Sequence, residues 1–312
     1  MKGTIVSSHQ TPIAIFVYNR PEHAARMLRS LAQCDRLDDC TINIYCDGPK
    51  TSADVAAVEA TREVVRQWTA DFDAVVCERD RNLGLSRSIV AGVSELCERY
   101  GRVIVLEDDF VLSRSFIDYM LAGLARYAEV PEVYQISGYM FPVRHLQKDE
   151  AFFLPLTTTW GWATWARAWR EFEWEPADAL ERLHDPALRR QFDLDGSYPY
   201  SAMLEQRLRH ENDSWGILFW WAVFNRRGLV LYPPESLLAV GGFDGSGTHA
   251  GNHLWSINGA MKTGKWTFRL PEQVVVQTEA FTRIKRFLKS EQPARSLAGR
   301  IWRRSKLLQH RW

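Results

Sequence analysis

Over the first 110 residues, short β-branched runs alternate with amphipathic stretches, the pattern of βαβ units feeding a mostly parallel sheet. Residues 12–18 (PIAIFVY) predict a buried strand, being short, almost wholly apolar and ended by a turn. Asn19, Pro21 and Glu22 then supply a helix start with Asn19 as N-cap, and Ala24, Met27, Leu28 and Leu31 follow at helical spacing. Residues 41–46 (TINIYC) predict a second strand that ends at Asp47-Gly48-Pro49, residues 54–68 a helix, and residues 73–77 (DAVVC) a third strand. Leu85, Ile89, Val93 and Leu96 share one face of the next helix. Residues 103–106 (VIVL) predict the fourth strand, which runs into Glu107-Asp108-Asp109.

Beyond residue 112 the strict alternation is lost. The pattern predicts helices over 115–127, 178–190, 201–209 and 215–227, and strands over 133–137, 230–232 and 274–277. Trp165 and Trp169, four residues apart, read as packing residues of one helix. With no internal repeat and no low-complexity linker, residues 1–112 and 113–281 are expected to form two halves of one continuous domain, followed by a tail over 282–312.

Composition narrows the classes. The 312 residues carry 39 Lys+Arg against 38 Asp+Glu, a net charge of +1, with 46% hydrophobic side chains. This is a globular chain with no overall field to hold a polyanion, which argues against nucleic acid as a partner. Five cysteines, with no CxxC pair and no zinc-finger spacing, point to free thiols and a reducing, cytoplasmic setting, with Cys46 and Cys77 expected inside buried runs. The first twenty residues read as neither a signal peptide nor a membrane span. Thirteen Trp is a high number, and they cluster in TTTWGWATWARAW and SWGILFWW.

In an open α/β sheet, ligands bind beyond the carboxyl ends of the strands. That rule selects Asn19, Arg20, Asp47, residues 82–86 and the triplet Glu107-Asp108-Asp109. There is no GxGxxG after the first strand and no GxxxxGK[ST], so a dinucleotide fingerprint and a P-loop are both absent. Three consecutive carboxylates after a buried strand repel one another unless a hard cation or a hydroxyl-rich ligand compensates; the alternative is a solvated acidic turn.

VLEDDF after the fourth strand, with PIAIFVYNRPEH, IYCDG and RNLGLSRSI before it, resembles the nucleotide-sugar-dependent glycosyltransferases of the GT-A fold. The resemblance is to bacterial sugar transferases related to the Golgi N-acetylglucosaminyltransferase that initiates complex N-glycans, and it covers roughly residues 10–255. Its most specific pieces are the EDD version of the DxD motif, the WGWATW block and GFDGSGTH. It implies a Rossmann-like sheet with flanking helices followed by an acceptor-side α+β region. It further implies that Asp109 binds Mn²⁺ or Mg²⁺ against the donor diphosphate, Asp108 meets the ribose and Glu107 the transferred sugar. Tyr18, Asn19 and Arg20 would line the base and ribose, Asp47 would accept from the base, and Asn82, Gly84 and Ser86 would close the pocket. A UDP-sugar is the expected donor.

On the acceptor side, the resemblance implies a floor made by Trp160, Gly161 and Trp162. Inverting transfer needs a carboxylate to deprotonate the acceptor hydroxyl; Asp213 is the candidate and Glu211 the second choice, against an alternative in which Asp213 merely caps the following helix. His249, after the Gly245-Ser246-Gly247 loop, is implied as a second metal ligand or diphosphate partner. The basic, aromatic-interleaved tail over 283–312 reads as a segment for anionic membrane at the inner face, with a solvated tail as the alternative. The expected acceptor is a glycan or glycolipid such as a surface polysaccharide or lipopolysaccharide. Two other functions fit less of the pattern: a sugar-phosphate nucleotidylyltransferase, whose Gly-rich first turn is missing here, and a non-catalytic glycan-binding protein of the same fold.

Overall fold

A computed structural model of the chain describes residues 10–143, 149–241 and 261–292. The first half follows the βαβ pattern closely: β1 (Thr11–Val17), α1 (Pro21–Leu31), β2 (Cys40–Cys46), α2 (Val55–Thr69), β3 (Ala74–Glu78), α3 (Leu85–Tyr100) and β4 (Arg102–Glu107). A short strand β5 (Phe110–Leu112), α4 (Phe116–Arg126), β6 (Val133–Ser137), β7 (Phe152–Leu154) and β8 (Trp162–Trp165) come next. Then follow α5 (Ala166–Trp169), α6 (Ala179–Arg182), α7 (Pro186–Phe192), α8 (Tyr200–Leu208), α9 (Trp215–Asn225), β9 (Leu229–Tyr232), β10 (Leu238–Val240) and α10 (Thr278–Glu291).

The main sheet has the order β3-β2-β1-β4-β8-β6-β9-β7. β1 pairs in parallel with β2 and β4, β2 with β3, and β6 with β9, whereas β8 runs antiparallel to both β4 and β6, and β7 antiparallel to β9. The chain moves outward from β1 to β3 and then returns to the other side of β1 as β4. That reversal opens a crevice at the carboxyl ends of β1 and β4, where two crossovers leave in opposite directions.

Alternation along the strands sorts the core into two faces. Ile13, Ile15 and Val17 of β1 join Ile42, Ile44, Ile104 and Leu106 under α1 and α4. Ala14 and Phe16 point the other way, with Tyr45, Val103 and Val105, against Ile89, Val93 and Leu96 of α3. β8 continues this sorting: Ala163 and Trp165 belong to the first face, Trp162 to the second. The helix α9, WGILFWWAVFN, is apolar all round and feeds both faces, Trp220 and Trp221 on one and Trp215 and Phe219 on the other.

Several expectations are corrected. Trp165 and Trp169 do not share a helix, because residues 162–165 pair with β4 and leave Trp165 on a strand. The helix expected over 178–190 is broken into α6 and α7, with Pro186 at the first position of α7 and the Asp185 carboxylate accepting from the Ala187 amide at 2.8 Å. Arg20, not Asn19, occupies the N-cap position of α1. Residues 274–277 form no strand; Val276 makes only an isolated bridge to Phe153. Cys77 is exposed because β3 is an edge strand with an open outer side; all five cysteines are free thiols.

The boundary at 282 is also corrected. It falls inside α10, whose Ala280, Ile284 and Leu288 are buried in the main core, with Phe281 and Phe287 packed against it. That part of the tail is a docked amphipathic helix; residues 293–312 lie outside the described residues. No helix among the described residues is long and apolar enough to cross a membrane.

Trp162 is 0% exposed and touches Trp169, Trp215 and Phe219 at centroid distances of 5.4–5.9 Å. Replacing it by Ala should lower the free energy of unfolding by about 3–5 kcal/mol, measured by guanidinium denaturation; a loss under 1 kcal/mol would contradict this packing role.

Candidate functional site

The crevice predicted by the strand order is a cleft of about 350 Å³. Its walls come from the ends of β1 (Phe16, Val17), the turn after it (Tyr18, Asn19, Arg20), β2 and its turn (Tyr45, Asp47, Lys50), the start of α3 (Asn82, Gly84, Leu85, Ser86, Ser88), the end of β4 (Glu107, Asp108) and Asp213. Thus nearly all residues selected from the first half meet in one place, with Asp213 arriving from the second half.

Asp47 organises one wall. Its Oδ1 accepts from the amides of Gly48 (3.0 Å) and Leu83 (2.9 Å), and its Oδ2 from Leu83 (3.2 Å) and Gly84 (3.0 Å). The carboxylate therefore ties the β2 turn to the loop entering α3, and this buried side chain faces backbone donors. Asn82 closes the same loop by donating to the Gly48 carbonyl at 2.9 Å. Gly84 sits at φ +78 as the N-cap of α3, a conformation that only glycine adopts without strain. Gly48 is confined too, since a Cβ there would lie 2.6 Å from the Arg81 backbone.

The turn after β1 is held by a second set of bonds. Asn19 donates to Asp54 Oδ1 at 3.3 Å, and the other Asp54 oxygen accepts from the amide and hydroxyl of Thr51 at 2.9 and 2.8 Å. Tyr18 accepts from the Lys50 amide at 3.2 Å. Phe16 and Tyr45 stack at 5.1 Å, and Arg79 lies over the Tyr45 ring at 5.5 Å.

At the end of β4 the acidic triplet faces one guanidinium. Arg20 bonds Asp108 Oδ1 through one nitrogen and Asp109 Oδ2, at 3.4 Å, through another. Burial, reinforced by Asp109 and Asp108, pushes the Glu107 carboxyl well above the usual range, with Arg20 opposing. Burial likewise raises Asp108 to about 6, although Arg20 works against it. Burial disfavours the Arg20 charge, but Asp108 and then Asp109 outweigh it and the shift is upward. Three carboxyl groups thus crowd one guanidinium, and burial disfavours the charged forms of Glu107 and Asp108.

Asp109 is placed by its neighbours: its carbonyl accepts from the Gly241 amide at 2.6 Å, where the antiparallel pair β5 and β10 ends. Its Oδ1 is enclosed by protein and has no hydrogen-bond partner among the described residues. An orphaned, buried carboxylate oxygen is the donor a hard divalent cation takes, so Asp109 fits the metal role. No group of three His, Cys, Asp or Glu side chains among the described residues is arranged to hold a metal. His249 and GFDGSGTH lie outside the described residues.

Asp213 reaches the cleft on the turn between α8 and α9. His210 adopts φ +59 there, and Asn212 fastens the turn by donating to the Met203 carbonyl (3.0 Å) and accepting from the Ser214 amide (3.1 Å). Ser86 donates to the Asp213 carbonyl, linking α3 to this turn. The helix cap is Ser214, which accepts from the Ile217 amide, so the capping alternative for Asp213 is not what the structure shows. Glu211 is exposed and does not line the cleft.

The floor expected from Trp160, Gly161 and Trp162 is divided. Trp162 has no surface to offer a ligand, for the reason of strand alternation given above. Gly161, at φ +52, is buried under Leu238 and Phe116, where a Cβ would come within 2.3 Å of Leu238 Cδ2. Trp160 alone is partly open, and it lines a second cleft together with Tyr198, Tyr200, Met203 and Trp220. The tyrosines and Lys50 were missed from sequence; the YPYS run before α8 was the available signal for the tyrosines.

No family model matches the chain, and no curated protein matches it. Among solved structures, GalNAc-T7 with UDP, GalNAc and Mn²⁺ is similar at a TM-score of 0.47 and 11% identity, covering 74% of this chain and 44% of that one. TarS of S. aureus is similar at a TM-score of 0.36 and 12% identity, covering 62% of this chain and 33% of that one. This chain therefore spans less than half the length of either, and likeness of this degree says nothing of activity.

Asp47→Asn should replace an acceptor by an amide group facing the Leu83 and Gly84 amides, at a cost of about 1.5–3 kcal/mol. Hydrogen exchange at those two amides should accelerate roughly tenfold or more; unchanged protection would show that the clamp does not hold the loop.

Proposed function

We propose that the chain is a metal-dependent, inverting glycosyltransferase of the GT-A type that moves a sugar from a nucleotide diphosphate, UDP being the expected one, to a hydroxyl of a glycan or glycolipid. The observation that carries this reading is the single cleft at the carboxyl ends of β1, β2 and β4, where Arg20, Glu107 and Asp108 stand in the same walls as Asp213. The orphaned Asp109 oxygen beside them supports a divalent cation.

In this reading the residues take the roles that the resemblance implies, with the geometry in support. The aromatic pair Phe16 and Tyr45, with Tyr18 and the loop clamped by Asp47, offers a slot with apolar faces and backbone edges for a base. Asp109, with Asp108 beside it, would hold Mn²⁺ or Mg²⁺. Such a cation, when bound, would supply Lewis-acid stabilisation to a departing diphosphate. Arg20 holds Asp108 and Asp109 together and keeps a standing positive charge where diphosphate oxygens would arrive. Glu107 and Asp108 offer acceptors to sugar and ribose hydroxyls. Asp213, exposed on the turn that enters the cleft, takes the proton from the acceptor hydroxyl as the new bond forms. Membrane attachment by the chain's basic end belongs to this reading only if the acceptor is a lipid-linked saccharide.

Calorimetric titration of the full chain with UDP, GDP, CDP and dTDP, each with Mn²⁺ and with chelator, tests it. One nucleotide should bind tightly with metal and at least tenfold more weakly without, and Asp109→Ala should remove the metal dependence. No binding of any of the four would overturn the reading. Once an acceptor is in hand, Asp213→Asn should lower kcat by about 10²–10⁴-fold while nucleotide affinity stays unchanged; an equal loss in Glu211→Gln and none in Asp213→Asn would move the base to Glu211.

A further inference from the structure

Next to the charged cleft is a second one of about 190 Å³, walled by Trp160, Tyr198, Tyr200, Trp220 and the threonines 157–159. The two adjoin across one peptide bond: Asp213 lines the first and Ser214 the second. Their chemistry differs sharply. The first gathers Arg20, Asp47, Lys50, Glu107, Asp108 and Asp213; the second has no Asp, Glu, Lys, Arg or His among its described lining residues.

We propose that the second cleft receives the acceptor and that the ring it holds is an uncharged pyranose. This rests on the transferase reading and names the substrate class of its acceptor side. A uronate, a sugar phosphate or another anionic ring would surrender its hydration to walls whose described residues offer no cation, and a charge buried unpaired costs several kcal/mol. An alkyl chain fits less well, because it would offer no partner to the hydroxyls of Thr157 and Thr159 in its walls. A neutral sugar satisfies both requirements, setting its C–H face on an aromatic ring and its hydroxyls on the threonine and serine oxygens.

The aromatic walls are set before any ligand arrives. Trp160 meets Tyr139 edge-on at 4.7 Å and 66°, and Tyr198 leans on Tyr200 at 4.6 Å and 47°. Thr158 is fixed from behind, its amide donating to Gln135 Oε1 at 3.0 Å and its hydroxyl 2.6 Å from that of Ser137. Rings already held in place lose little freedom on binding, which favours a stacked ligand.

The test is saturation-transfer difference NMR on the full chain with the methyl glycosides of glucose, galactose, mannose and N-acetylglucosamine, beside methyl glucuronide and glucose 6-phosphate, with nucleotide calorimetry on the same samples. The expected result is transfer to the ring protons of at least one neutral glycoside, several-fold above both anions. It should be lost in Trp160→Ala, kept in Trp160→Phe, and accompanied by unchanged nucleotide affinity in both. Thr157→Lys should raise the glucuronide signal several-fold by supplying the missing cation, a gain that misfolding cannot mimic. Anions bound as well as neutral sugars, no glycoside bound at all, neutral binding that ignores Trp160, or a glucuronide signal unmoved by Thr157→Lys would each overturn the proposal. If neutral glycosides bind through Trp160 but no nucleotide binds, the transferase reading falls and the neutral-saccharide cleft stands.

Discussion

Everything downstream of β4 depends on the insertion of β8 as an antiparallel strand between β4 and β6. Its four residues alternate between two cores, Ala163 and Trp165 toward one and Trp162 toward the other, so neither face can slip by a residue without turning a tryptophan to the wrong side. Through that register the parallel strands of the first half and the strands of the second half become one sheet. The chain leading into β8 carries Trp160 beside the turn that bears Asp213, and both clefts inherit their separation from it.

Within that frame, the electrostatics are concentrated at one point. A buried strand end delivers Glu107, Asp108 and Asp109, and the only guanidinium shown bonded to them comes from Arg20, at the end of the adjacent strand β1. Burial raises Glu107 and Asp108 because the charged forms are poorly solvated, while Arg20 pulls the other way. An arrangement left partly uncompensated costs stability and is retained where a ligand supplies the balance. The neighbouring cleft has no charged side chain among its described lining residues, so the two differ in electrostatic character.

The first half was legible in the sequence because its strands are short apolar runs and its helices keep a clean period; β1 to β4 and their helices fall within a residue or two of expectation. The EDD triplet was legible because its position followed from the strand before it. Trp162 was misread because WGWATW looks like a ligand-facing aromatic block, and only the pairing of Val105 with Trp162 reveals a central strand buried on both faces. Asp47 illustrates a different limit: a carboxylate after a strand looks available, but the loop that returns to it 36 residues later cannot be seen in a local pattern. The second cleft was illegible for the same reason, since Trp160, Tyr198 and Trp220 are distant in sequence.

The last helix bears on how the chain comes to be built. Ile284 and Leu288 of α10 are enclosed in the same core as α4 and β9, Trp266 donates its amide to Ser115 at 2.8 Å, and Tyr127 donates to the Pro271 carbonyl at 2.7 Å. During synthesis the βαβ units can assemble as they emerge, since their contacts are sequential. The core under α4 cannot close until residues some 150 positions later have left the ribosome. Its apolar surface stays uncovered over that interval, so closure of this core comes late in the order of folding.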